Sequence, residues 1–186
     1  MRRCLAFLGL LACSPMALAA NGLDLNVTNK AVRVTVDFEL TNNLLLDGSF
    51  YYHEDRGNIF GAGFHVTGAA TGGRNPLQAG LGGRLLRIDS KTRGRDDGFA
   101  VPLGGFVNYT LPEWDRFVVG GSLYYAPDVL SFSDVKNYLE YNVWGGYMVV
   151  RQGMVYLGLR SIKADFEDSP KVTFDTGMHF GLRLRF

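Results

Sequence analysis

The sequence predicts an all-β protein: an antiparallel transmembrane β-barrel of about ten strands, eight being the other possible count, closed by its C-terminal strand. Three observations predict it. Apolar side chains recur at every second position in run after run, the period of a strand with two unlike faces. The connections between those runs alternate between short turns and longer loops. The terminal stretch GMHFGLRLRF keeps the alternation up to Phe186, where an ordinary chain end is exposed and frayed.

The first residues read as a leader. Met1, Arg2 and Arg3 are followed by an apolar stretch from Cys4 to Cys13 and then by SPMALA, with small residues at Ala17 and Ala19. This is the layout of a secretory signal peptide, whose apolar core is too short to span a bilayer as a helix. Cleavage is expected after Ala19 or Ala20, leaving residues 21–186 as one barrel domain. LLAC at Leu10 to Cys13 offers a lipoprotein site as the rival, with Cys13 lipidated. Both cysteines lie in this segment, so the remaining chain has no disulfide framework, thiol nucleophile or thiolate metal site. Removing Arg2 and Arg3 from the 19 basic side chains leaves 17 against 18 acidic ones. Such balance gives no electrostatic footprint for nucleic acid.

The candidate strands run over 22–28, 31–40, 44–53, 57–68, 76–89, 98–110, 115–126, 137–150, 153–165 and 171–186. In the second, Val32, Val34, Val36, Phe38 and Leu40 share a face; in the sixth, Phe99, Val101, Leu103, Val107 and Tyr109. The seventh shows Phe117, Val119, Leu123 and Tyr125, and the eighth Leu139, Tyr141, Val143, Tyr147 and Val149. In the tenth, Val172, Phe174 and Met178 are read with Phe180, Leu182, Leu184 and Phe186 as one apolar face. Glycine, 24 in the full chain, falls inside these runs, which suits strands that bend or pack closely.

The opposite faces are polar. Ser49 and Tyr51, Asn108, Ser122, Asn142 and His179 alternate with the apolar sets. The charged members are Arg33, Asp37, Glu39, Arg84, Glu140, Arg160, Asp175, Arg183 and Arg185, and the register turns them into one lumen. Charges within strands need water or partners. A soluble sandwich with polar residues outside or a membrane barrel with polar residues inside satisfies both faces, and loop lengths favour the barrel. With the first strand starting on the periplasmic side, the connections on one rim are TNN at 41–43, residues 69–75, LPEW at 111–114 and RQ at 151–152, three of the four very short. SKTRGRDD at 90–97, PDVLSFSDVK at 127–136 and FEDSP at 166–170 are longer loops on the other. Tyr52, Tyr125 and Tyr141 then fall near the outer rim, and Tyr109, Phe117, Tyr147 and Phe186 near the inner one, as aromatic belts do.

Met178, Phe180, Leu182, Leu184 and Phe186 also match the C-terminal pattern by which bacterial outer-membrane proteins are recognised for insertion, so the barrel-assembly machinery is an expected partner. Two stretches are more specific: GGSLYYAPDVLSFSDVKNYLEY from Gly120 to Tyr141 and DDGFAVPLGGFVNYTLPEW from Asp96 to Trp114, with LQAGLGGRLLRID from Leu77 to Asp89 in support. In these the chain resembles the YfaZ family of outer-membrane proteins. The resemblance implies a β-barrel located in the outer membrane. It implies no established activity, so it carries no catalytic residues to this chain.

Small barrels are nearly filled by side chains. The expectation is therefore a monomeric, structural or interaction-type barrel with a packed ionic lumen and no conductance, needing no cofactor or metal. A narrow pore for small solutes is the alternative. A lipid-A-modifying enzyme is the second, and its candidate groups are the acids Asp96 and Asp97 and the rim histidine His53 beside Glu54 and Asp55. Asp96 and Asp97 are better read as a polar turn before Gly98. No serine stands at nucleophile spacing from His53, and FHVTG at Phe64 to Gly68 has only a slight likeness to lipid A deacylase barrels, without their Ser-Asn continuation. Lys91, Arg93 and Arg95 form a basic outer loop suited to the phosphates of lipopolysaccharide. His179 is expected to bond lumen neighbours such as Asp175.

Overall fold

The structure is a computed structural model and describes residues 21–70, 77–91, 97–167 and 171–186. The leader with Cys13, and Arg93, Arg95 and Asp96, lie outside the described residues. The strands are β1 (Gly22–Val27), β2 (Ala31–Thr41), β3 (Leu44–His53), β4 (Gly57–Ala70), β5 (Leu77–Ser90) and β6 (Asp97–Ala100). They continue with β7 (Leu103–Thr110), β8 (Phe117–Ala126), β9 (Ser131–Ser133), β10 (Val135–Val150), β11 (Gly153–Phe166) and β12 (Val172–Arg185). All pair antiparallel. β1 to β5 follow in order, then β7, β8, β10, β11 and β12, and β12 pairs back onto β1 from Gly22↔Arg185 to Val27↔Phe180. The result is a closed ten-stranded barrel, to which β6 and β9 add as two further strands. Closure removes the edge that would strand unpaired backbone groups in lipid.

The extra strands come from a shared interruption. The run expected as one strand over 98–110 is broken at Val101 and Pro102, because proline has no N–H to give to the ladder. Its carbonyl still accepts from the Arg84 N–H at 3.0 Å. On the neighbouring strand Pro127 and a 3-10 turn, Asp128–Leu130, interrupt at the same level, and the Val101 N–H donates to the Leu130 carbonyl at 2.8 Å. Beyond the break β6 and β9 continue the wall toward the loop rim, paired from Gly98↔Ser133 to Ala100↔Ser131.

The barrel wears its apolar residues outside. Leu81, Val143, Leu157, Leu159 and Met178 are all more than half exposed, and Phe60, Phe64, Leu123 and Phe180 stand out between them. In water so continuous a surface drives association. Against lipid tails it is the surface a spanning barrel presents. The aromatics expected at the two rims, among them Tyr52, Tyr125, Tyr109 and Tyr147, are all on this exposed face.

Inside, glycine makes room for large rings. A Cβ on Gly120 would collide with the Trp144 ring, one on Gly80 with Phe106, and one on Gly181 with Tyr156. That is why glycines sit within strands rather than only at their ends.

One register expectation is overturned. Val172 and Phe174 do not share the outer face with Met178: they are buried in the lumen, while Met178 is 68% exposed. The ladder shifts between Ile162 and Lys163 of β11, so that β12 bulges at Phe174. One extra residue reverses which face the following side chains take. Gly177, at φ +153, follows the bulge in a backbone region closed to most side chains. The strand ends at the turn rim, where the Phe186 N–H donates to the Asn21 carbonyl at 3.1 Å.

Candidate functional site: the lumen

The lumen is layered. Toward the loop rim the inward residues of the strand ends are apolar: Ile59, Leu86, Ile88, Val135, Ile162, Phe166, Val172 and Phe174 form one buried cluster with the rings of Tyr51 and Tyr138. Tyr51 donates its hydroxyl to the Phe174 carbonyl at 3.3 Å, tying the cluster across the barrel. The small residues Ala31, Ala100, Ala126 and Ala164 fit beneath the larger ones. On the loop side the lumen is thus filled by a hydrophobic core, which the charged residues expected there do not account for. Apolar packing excludes water at close to crystal density.

Below it lies the ionic layer. Arg33 grips Glu140 with Nη1 at 2.5 Å from Oε1 and Nη2 at 3.1 Å from Oε2, a two-pronged match of guanidinium to carboxylate. Tyr138 donates to the same carboxylate at 2.5 Å. Arg84 stands 3.8 Å from Glu140 and 3.5 Å from Asp47, and its guanidinium lies 4.1 Å from the Tyr124 ring centre. Asp47 also faces His65 Nδ1 at 3.1 Å, and His65 Nε2 shares a hydrogen bond with the Tyr124 hydroxyl at 2.8 Å. On the opposite wall Arg160 donates to Asp175 at 2.6 Å and to Asn26 at 2.5 Å. Arg183 donates to Asp24 at 2.8 Å between the rings of Trp144 and Tyr156, and Tyr156 donates to the same carboxylate at 2.6 Å. These charges are buried, so pairing with hydrogen bonds is what makes them tolerable.

The expected lumen residues divide accordingly. Arg33, Arg84, Glu140, Arg160, Asp175 and Arg183 take part in ion pairs. Asp37 faces the same space without a hydrogen bond or ion pair, and Glu39 and Arg185 are exposed at the turn rim. Asp24, Asn26, Asp47, His65, Tyr124, Tyr138 and Tyr156 complete the network and were not singled out from the sequence. Alternation with Leu23, Leu25 and Val27 assigns Asp24 and Asn26 to the inner face, a signal present but short. The run Leu44, Leu45, Leu46 before Asp47 blurs the period.

Between the ionic layer and the turn rim the lumen opens into a polar chamber of about 320 Å³, with Asn21, Thr41 and Asn42 at its mouth. Arg33 Nε, Asn142 Oδ1 and both ring nitrogens of His179 lack hydrogen-bond partners, whereas His65 Nδ1 and Arg84 Nε meet Asp47 as ion-pair contacts. The expected bond between His179 and Asp175 is therefore absent. Asp175 is engaged by Arg160, and the His179 ring packs over Gly158 and edge-on to Tyr156. Among the described residues no group of three or more His, Cys, Asp or Glu is placed to hold a metal ion.

The outer rim carries the remaining candidates. His53 Nδ1 accepts the Asp55 backbone N–H at 3.1 Å, so this ring organises its own turn. Asp55 is paired with Lys30 at 2.7 Å in the open, which holds its carboxyl below the usual range and raises the lysine. Lys91 is exposed, its ammonium 5.1 Å from the Tyr52 ring centre. Asp97 is exposed and stands opposite Asp89 on β5.

No curated protein matches the chain. Among solved structures it is similar to a KdgM porin, with a TM-score of 0.48 and 12% identity over 90% of this chain and 99% of that one. It is also similar to the outer-membrane channel DcaP of Acinetobacter baumannii, with a TM-score of 0.44 and 11% identity over 88% of this chain and 54% of that one. The family model described as YfaZ precursor matches residues 2–186, nearly the whole chain. A closed ten-stranded wall, an ionic lumen and that match converge: the chain belongs to the YfaZ precursor family.

Proposed function

We propose that this protein is an integral barrel of the bacterial outer membrane that is sealed to solutes and serves a structural or interaction role. The observation that carries the reading is the buried cluster of Tyr51, Ile88, Tyr138, Ile162 and Phe174 on the loop side of the lumen. Water and ions cross a pore only where polar groups or free volume let them, and this layer supplies neither. Planar-bilayer recording of the purified protein tests it. No stable single-channel steps are expected; reproducible steps would return the protein to the narrow-pore reading, which the open chamber on the turn side favours.

On the outer rim Lys91, with Arg93 and Arg95 of the same loop, suits the phosphates of lipopolysaccharide. Replacing the three by alanine is expected to reduce lipopolysaccharide co-purification, and unchanged bound lipid removes the contact. A lipid-A-modifying activity has no support in the placement of His53, whose ring is committed to the turn. Mass analysis of lipid A after incubation with the protein is expected to show no change.

A further inference from the structure

The chamber at the turn rim contains an inward carboxylate, Asp37, that makes no ion pair with a described residue, while Glu39 stands exposed at its mouth. Asp37 of β2 faces inward, directly opposite Asp47 of β3. Like charges placed opposite on one face of a sheet repel. Asp47 is answered by Arg84 and His65. Asp37 has no hydrogen bond or ion pair with any described residue. On its other side stands Gly22 of β1, which leaves the wall beside the carboxylate bare: a Cβ there would lie 3.2 Å from Oδ2.

The cations around it are already engaged. Arg33 holds Glu140, Arg84 is shared between Asp47 and Glu140, and Arg183 holds Asp24. Arg185 has no partner, but it is exposed at the mouth and separated from Asp37 by the width of β1, since Gly22 pairs with both. One further acceptor of the chamber wall, Asn142 Oδ1, has no hydrogen-bond partner. Arg84 Nε faces Asp47 Oδ2 at 3.5 Å and Arg33 is held by Glu140, so both guanidiniums are directed at carboxylates other than Asp37. Asp37 is thus left without a direct cation partner among the described residues.

From this arrangement we infer that the chamber is a binding site for small organic ammonium ions, admitted from the turn rim and held by Asp37. A hard metal cation needs a cage of several oxygens, and the described residues offer no such group. An ammonium brings three donors on a compact charge and matches a single carboxylate in a chamber with a free amide oxygen, that of Asn142. At about 30 Å³ per water, 320 Å³ is space for roughly ten waters or one short diamine. The site does not depend on whether the loop side conducts, so its test is separate from bilayer recording.

The test is calorimetric titration of 1,4-diaminobutane into the purified full chain in detergent micelles, with 1,4-butanediol as the uncharged probe. The wild type is expected to bind the diamine saturably at one site and to ignore the diol. Asp37→Asn keeps the side-chain shape, relieves the repulsion with Asp47, and is expected to weaken binding at least tenfold while the barrel stays heat-modifiable on gels. Arg185→Gln removes a competing cation from the mouth and is expected to tighten binding severalfold. No saturable binding by wild type, equal binding of the diol, or undiminished binding by folded Asp37→Asn each overturns the proposal. If Asp37→Asn fails to fold, the diol comparison and Arg185→Gln decide it.

Discussion

At the scale of single residues, environment decides what an ion pair is worth. Glu140 accepts from Arg33 and Tyr138 and faces Arg84, all in the buried lumen. Glu140→Gln leaves Arg33 without a counter-charge and Arg84 with Asp47 alone. Breaking a buried pair by removing one partner typically costs about 3–5 kcal/mol. The expected outcome is a large fall in the urea midpoint of the micelle-bound barrel, with the loss of heat-modifiable migration at room temperature as the cruder sign. Lys30 and Asp55 make the contrast, because their 2.7 Å pair is exposed. The Asp55 carboxyl is held down by the lysine, so whatever the pair contributes is present above the ordinary carboxylate range and lost as pH falls through the lower folded value. Solvent screens such a pair. Asp55→Asn is expected to leave the unfolding midpoint unchanged at neutral pH.

Single strands show how local geometry sets which side chains reach the lumen. β12 presents Val172 and Phe174 inward, bulges, passes Gly177 and then presents His179, Gly181 and Arg183 inward, with Met178, Phe180, Leu182 and Leu184 outward. A strict period of two misassigns Val172 and Phe174, because nothing in the residue types announces one extra position. At the hairpin joining β3 to β4, Gly57 has φ +122, and a Cβ there would strike the Asp89 carbonyl oxygen of β5. Gly57→Ala is therefore strained in both backbone and space. The penalty is of order 1–3 kcal/mol for the backbone alone, and a lower urea midpoint measures it. Deletion of Phe186, the last outward residue of the closing strand, is expected to lower the amount of folded barrel in outer-membrane fractions, read by heat-modifiable migration.

The whole molecule is a cylinder whose exterior suits lipid and whose interior changes character along its axis. An apolar core fills the loop side, ion pairs fill the middle and a polar chamber opens on the turn side. The exterior predicts that the chain stays folded and dispersed only with an amphiphile; a monodisperse, folded barrel in plain buffer, read by light scattering and circular dichroism, would contradict it. The interior predicts that the seal is removable. Tyr51→Ala with Phe174→Ala empties two neighbouring ring positions and cuts the hydrogen bond between them. That double variant is expected to show single-channel steps in planar bilayers where the wild type shows none.

By itself the sequence determined that the chain forms antiparallel strands, that about ten of them close on the C-terminal one, and, apart from Val172 and Phe174, which faces turn outward. Those properties follow from alternation, turn length and composition, which are local. Only the tertiary structure decided that Arg33 meets Glu140, 107 positions away, that Arg183 meets Asp24 across 159, and that Asp37 is left without an ion pair among the described residues. It also decided that Ile88, Ile162 and Phe174 pack into one buried cluster on the loop side. Periodicity tells a side chain's face, but closure of the wall brings strands distant in sequence to one level of the axis, and depth and partner are fixed only there.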